Sequence, residues 1–181
     1  MFAAFTPAAG AAEDPMDAGE SVAAVDQSTG QWYLRNDDGS AQEFYFGDPG
    51  DVPLFGDWDG DTVSTPGVYR QSDGRVYLRN SNTQGIADLW FYFGNPNDIP
   101  LAGDWDGDGT ATPGMYRPSN GFVYLRNSND FGGADMSFFF GIPGDIPIVG
   151  DWDQDGDDTL GIYRGGHVFL ANDLGTVEAD I

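Results

Sequence analysis

The sequence predicts an all-β fold of β-propeller-type blades, each of four antiparallel strands and about 47 residues, in an incomplete or truncated array. Three observations carry this. One acidic motif recurs at a fixed interval: GDWDGDTVSTPGVYR from Gly56, GDWDGDGTATPGMYR from Gly103 and GDWDQDGDDTLGIYR from Gly150. Gly and Pro punctuate the chain at intervals of about ten residues, which breaks any long helix and suits short strands joined by turns. Finally, the runs Leu89-Trp90-Phe91-Tyr92-Phe93 and Phe138-Phe139-Phe140 do not alternate apolar with polar residues. A half-exposed strand would alternate, so these runs predict strands buried on both faces, as between stacked sheets.

Residues 1–19 are Ala-rich and contain no repeat element. Ala9-Gly10-Ala11 before Glu-Asp-Pro resembles the cleavage end of a secretory leader whose basic start would lie upstream; the alternative is a disordered low-complexity tail. From residue 20 to 181 the chain reads as one repeat domain. Residues 20–50 form a partial blade (ESVAAV, QWYLRN, AQEFYFG) without an opening strand or acidic loop. Residues 51–97 form a full blade, in which DVPLFGDW, TPGVYR, RVYLRN and IADLWFYFG are the strands and QSDG and SNTQG the connections. Residues 98–144 match it element for element. Residues 145–181 open the same way, and Ala179-Asp180-Ile181 falls where the other blades enter their fourth strand, so the array reads as cut short. A long β-sandwich would not explain such strict repetition.

The acidic loops carry the chemistry. Asp-x-Asp-x-Asp places three carboxylates on one side of a tight loop, and like charges a few Å apart repel by roughly 1 kcal/mol per pair even in water. A hard divalent cation reverses that sign, and Ca²⁺ takes carboxylate, carbonyl and water oxygens at this spacing. The candidate ligands are Asp57, Asp59 and Asp61; Asp104, Asp106 and Asp108; and Asp151, Asp153 and Asp155. Thr65, Thr112 and Thr159 stand at the ninth position as weaker, neutral ligands, and Thr110 and Asp157 complete the set. Gly109 and Gly156 allow the turn in two loops, whereas Thr62 occupies that position in the first, which ranks it weakest. No loop has the Glu of an EF-hand at position twelve. Asp- and Gly-rich turns without metal are the plainer reading of one loop, and three loops in register weigh against it.

The balance of 30 acids to 7 bases gives a net charge of −23, which repels nucleic acid and anionic membrane surfaces. No apolar run is long enough to insert in a membrane. With no Cys, disulfides, thiol nucleophiles and zinc–thiolate sites are excluded. His167 is the one histidine and no nucleophile–base pair suggests itself, so an enzyme is not expected. Arg70, Arg117 and Arg164 end second strands, while Arg35, Arg79 and Arg126 end third strands. They are read as partners of local Asp that guard sheet edges. Trp58, Trp105 and Trp152 either pack and hold the loops or, if exposed, stack on sugars. Trp32 and Trp90 are read as core.

GDWDGDGTATPGMYRPSNGFVYLRN followed by SFFFGIPGDIPIVGDWDQDG resembles the FG-GAP/VCBS-type repeats of bacterial extracellular proteins. These are similar in turn to the calcium-bearing blades of integrin α-chain propellers. The likeness covers residues 20–181. It implies Ca²⁺ held by the three Asp triplets in the loop between first and second strands. The family often has Asp where this chain has the ninth-position Thr. The resemblance further implies a secreted or cell-surface, non-catalytic module for adhesion, ligand binding or scaffolding. Its partner would be a protein or glycan, with further blades or domains belonging to a longer chain. A lectin-like carbohydrate-binding propeller and an accessory domain of a larger extracellular hydrolase are the alternatives.

Overall fold

The structure is a computed structural model that describes residues 2–5, 22–35 and 39–175. Ala9-Gly10-Ala11 and Ala179-Asp180-Ile181 lie outside the described residues, as does most of the leader segment. Within them the chain is all-β, with four antiparallel sheets in chain order and no helix.

The first sheet contains β1 (Phe2–Phe5), β2 (Val22–Asp26), β3 (Gln31–Arg35) and β4 (Ala41–Tyr45). The second contains β5 (Val52–Gly56), β6 (Thr65–Arg70), β7 (Arg75–Leu78) and β8 (Leu89–Tyr92). In the third are β9 (Ile99–Gly103), β10 (Thr112–Arg117), β11 (Phe122–Leu125) and β12 (Met136–Phe139). The last has β13 (Ile146–Gly150), β14 (Thr159–Arg164) and β15 (His167–Leu170). Every sheet is a meander in which each strand pairs with the next. Turns after the second strands close by Gly N–H bonds four residues back, as from Gly74 to the Arg70 carbonyl at 2.9 Å and from Gly121 to that of Arg117 at 2.9 Å.

Two expectations change. The first sheet has an opening strand after all: β1 pairs with β2, Phe2 opposite Val25 and Phe5 opposite Val22. It lacks the Pro, the Gly and the acidic loop that mark the other opening strands, so nothing local announced it. The aromatic runs of the fourth strands also do not bury both faces. In β8 only Phe91 is buried, and Trp90 is 58% exposed rather than core. The doubly buried strands are the second ones, β6 and β10. The reason is position: a fourth strand lies at the outer rim of its sheet with one pairing neighbour, whereas a second strand lies inside it. Trp32 is core as expected, fully buried and donating to the Phe46 carbonyl at 3.0 Å.

Three apolar layers hold the sheets together, one between each successive pair. Opening strands stand side by side, β1 by β5, β5 by β9 and β9 by β13. As edge strands they tolerate Pro53, Pro100 and Pro147, which cannot donate to a ladder. The layers are the main stabilising term, since burying a large apolar side chain contributes about 1.5–3 kcal/mol. Tyr69 and Tyr116 add polar stitches, their hydroxyls donating to the Asn95 and Ile142 carbonyls, in the connections that lead to the next sheet, at 2.7 and 3.1 Å.

Candidate metal centres

Each acidic loop leaves the Gly that ends an opening strand and returns at the Thr that begins the second. Between them the indole of the loop's Trp folds back onto its own sheet. A Cβ on Gly56 would lie 3.1 Å from the Trp58 ring, and one on Gly67 2.9 Å from it. Gly103 and Gly114 make the same slot for Trp105. Trp58 also donates its indole N–H to the Thr65 carbonyl at 2.9 Å. Trp58 and Trp105 are buried, and Trp152 is half-buried. The packing reading of these side chains therefore holds, and a sugar platform on Trp58 or Trp105 does not.

Carboxylate oxygens of Asp57, Asp59 and Asp61 all lie within 4.8 Å of one another, as do those of Asp104, Asp106 and Asp108 and those of Asp151, Asp153 and Asp155. The first acid of each triplet organises the loop. Asp57 accepts the N–H groups of Gly60 (2.8 Å), Asp61 (3.1 Å) and Thr62 (2.6 Å). Asp104 accepts those of Asp108 (3.1 Å) and Gly109 (2.7 Å). Asp151 accepts those of Gln154 (2.7 Å), Asp155 (3.2 Å) and Gly156 (3.1 Å). A carboxylate has about four lone-pair sites, so oxygen capacity remains for a cation.

Each loop needs two left-handed residues. The position of Thr62 (φ 72°) is matched by Gly109 (88°) and Gly156 (103°), as the sequence suggested. A second lies two residues earlier, at Gly60 (75°), Gly107 (68°) and Gln154 (65°). Only the middle loop has Gly at both.

The electrostatics are those of crowded acids. Asp59 is raised above the ordinary carboxylate value by desolvation first and then by the Asp61 and Asp57 charges. Burial raises Asp104 against the pull of its two backbone donors. Asp157 is pushed up to about 6, chiefly by its hydrogen bond to the Asp155 carboxylate, which is lowered in exchange. An oxygen-seeking cation suits such a set, because it removes the repulsion that water alone leaves.

The Thr residues stand differently. Thr65, Thr112 and Thr159 are buried and their hydroxyls face the Gly56, Gly103 and Gly150 carbonyls at 3.4 Å; that of Thr159 also donates to Ala171 at 2.7 Å. They begin strands, and their hydroxyls are committed to the sheet. Thr110 gives its N–H to Asp108 at 2.8 Å, and its hydroxyl sits beside Gly60 of the preceding loop.

That proximity reflects something the sequence did not show: the loops are stitched to one another. The Ala111 N–H donates to the Asp57 carbonyl and the Asp158 N–H to the Asp104 carbonyl, both at 2.6 Å. Asp158 returns a bond, its carboxylate accepting the Asp104 N–H at 2.9 Å. Asn129 bridges the first two loops, donating to the Trp58 and Ala111 carbonyls at 3.0 Å each. Each loop thus joins two sheets as well as two strands.

Sequence reasoning also missed three buried acids. Asp51, Asp98 and Asp145, each just before an opening strand, hold Arg70, Arg117 and Arg164 in two-pronged pairs at 2.6–2.9 Å. The same carboxylates accept the N–H groups of Asp48, Asn95 and Ile142. The signal was there, in the Asp that precedes each Val/Ile-Pro pair. Arg79 and Arg126 serve the connections ahead of the fourth strands, donating at 2.6 Å to the Ile86 and Gly133 carbonyls.

Compared with known proteins, the chain matches no family model, no curated protein and no solved structure.

Proposed function

We propose that this chain is a non-catalytic, calcium-binding module of propeller-type blades from a secreted or cell-surface protein, serving adhesion, ligand binding or scaffolding. The supporting observation is the triple recurrence of one aspartate cluster, each copy seated where two neighbouring sheets are hydrogen-bonded. A cation there would neutralise three carboxylates and stiffen the joint between sheets at once. The middle acids Asp59, Asp106 and Asp153 are exposed and would complete their coordination with water. Recognition of a partner would then fall to surfaces that the loops support.

The proposal is tested by thermal unfolding in calcium, in magnesium and in chelator. Ca²⁺ that binds only the folded chain stabilises it by about 2.7 kcal/mol per site at a hundredfold excess over Kd, so the midpoint rises progressively with concentration. Mg²⁺, which demands a tighter octahedral shell, raises it less. Superimposed curves in calcium and chelator would sink the metal reading.

A further inference from the structure

Every contact between successive sheets is made by the same two unlike faces. On the larger face, Tyr69 stands opposite Val76 in the second sheet and Tyr116 opposite Val123 in the third. On the smaller face, Val68 stands opposite Tyr77, Met115 opposite Tyr124 and Ile162 opposite Phe169. The larger face of each sheet covers the smaller face of the next. Tyr69, Val76, Tyr116 and Val123 are completely buried by that contact, and Val68, Met115 and Ile162 are buried from the other side.

The outermost sheets keep the same pattern without the cover. In the last sheet Tyr163 stands opposite Val168 in the register of Tyr69 and Val76, yet they are 43% and 49% exposed. Leu170 corresponds to the buried Leu78 and Leu125 and is only half-buried. In the first sheet Ala24 stands opposite Tyr33, the register of the smaller face, and Tyr33 is 38% exposed. No packing comparable to that of β5 on β9 joins β13 to β1 among the described residues. The chain therefore carries both halves of a fourth contact of the type it makes three times, one half on each outer sheet.

We propose that the larger face of the last sheet docks on the smaller face of the first sheet of a second copy of this chain. The fit follows from the two internal contacts that cover a Tyr–Val face. Met115 beside Tyr124 covers that of the second sheet and Ile162 beside Phe169 that of the third. In each case an aliphatic or thioether side chain stands beside an aromatic ring, and Ala24 beside Tyr33 repeats that pairing in smaller form. The contact joins unlike faces, so two copies offer two such contacts when the rotation closes and a growing chain when it does not. At a net charge of −23 per copy the copies repel at long range, and added salt strengthens the association. The proposal stands independently of calcium in the loops.

Sedimentation velocity of the full chain at several protein and salt concentrations provides the test. The wild type associates into species of two or more copies. Val168→Asp and Tyr33→Asp, both at half-exposed positions, each weaken association about tenfold or more while the melting curve and circular dichroism stay those of the wild type. Tyr163→Glu serves as a second lesion of the larger face. Because the faces are unlike, an equimolar mixture of V168D and Y33D still pairs, the intact larger face of one on the intact smaller face of the other. A wild type that stays monomeric throughout, or association indifferent to all three substitutions, overturns the proposal. So does a V168D and Y33D mixture that pairs no better than either variant alone.

Discussion

At the scale of single residues, the loops are ranked by backbone strain. A side chain in the left-handed region costs roughly 1–2 kcal/mol, partly offset when Gly is introduced by the greater freedom of the unfolded chain. Thr62 is β-branched at φ 72° and Gln154 sits at 65°. Thr62→Gly should therefore stabilise the calcium-free protein by about 0.5–1 kcal/mol, and Gln154→Gly by less, both read from urea unfolding midpoints. Asp158 gives a pH prediction. Burial first, and then the Asp104 and Asp151 charges, push it up to about 6 from the ordinary 3.8. Between those values the folded chain keeps a proton that the unfolded chain has lost, so this group's contribution falls as pH rises from 4 to 6. Asp158→Asn keeps an oxygen to accept the Asp104 N–H and removes the charge. Metal-free variant and wild type should melt alike near pH 4, and the variant should melt higher at pH 7.

At the scale of elements, the repeated clasp between the approach to a first strand and the end of a second is the most sensitive point. Asp98 is 2% exposed and accepts from Arg117 through both oxygens and from the Asn95 N–H. Arg117→Gln strands that carboxylate and should cost about 3 kcal/mol, whereas Asp98→Asn leaves the more exposed guanidinium to water and costs less. Chemical denaturation of the two variants checks the order. In the last sheet, Arg164 holds the Asp145 carboxylate below its ordinary value, so that pair stabilises at neutral pH and is lost as pH falls through the depressed value. The second and third strands, their turns and the acidic loops were legible, because each has its own local signal in Gly, Pro or alternation. The fourth strands were misjudged because Leu89-Trp90-Phe91-Tyr92 is apolar throughout, and which side chains are covered depends on the strand's place at the rim. Phe2–Phe5 was not legible either. Its pairing with Val22–Val25 is a long-range event with no punctuation to announce it. The Asp–Arg clasp was half visible: the arginines stood out by their period, and their partners were lost among so many aspartates.

At the scale of the whole molecule, the issue is how a chain so acidic concentrates charge at its own joints. Ala111 ties its loop to the Asp57 carbonyl, and Asp158 ties its loop to that of Asp104. The carboxylate triplets therefore repel in the places where sheets meet. A turn that merely happens to be acidic and a cation site make opposite demands on these charges, and a triple substitution separates them. Asp59→Asn, Asp106→Asn and Asp153→Asn remove one exposed charge per loop while leaving Asp57, Asp104 and Asp151 to accept the backbone N–H groups that shape the loops. Without metal, the variant should be modestly more stable than the wild type, because repulsion is relieved. In calcium the order should invert, because each site has lost an anionic ligand and with it most of the mass-action gain. Thermal melts of the two proteins across a calcium titration should cross. Parallel curves would mean that the aspartates act only as turn residues, and the joints between sheets would then rest on the apolar layers and the loop-to-loop hydrogen bonds alone.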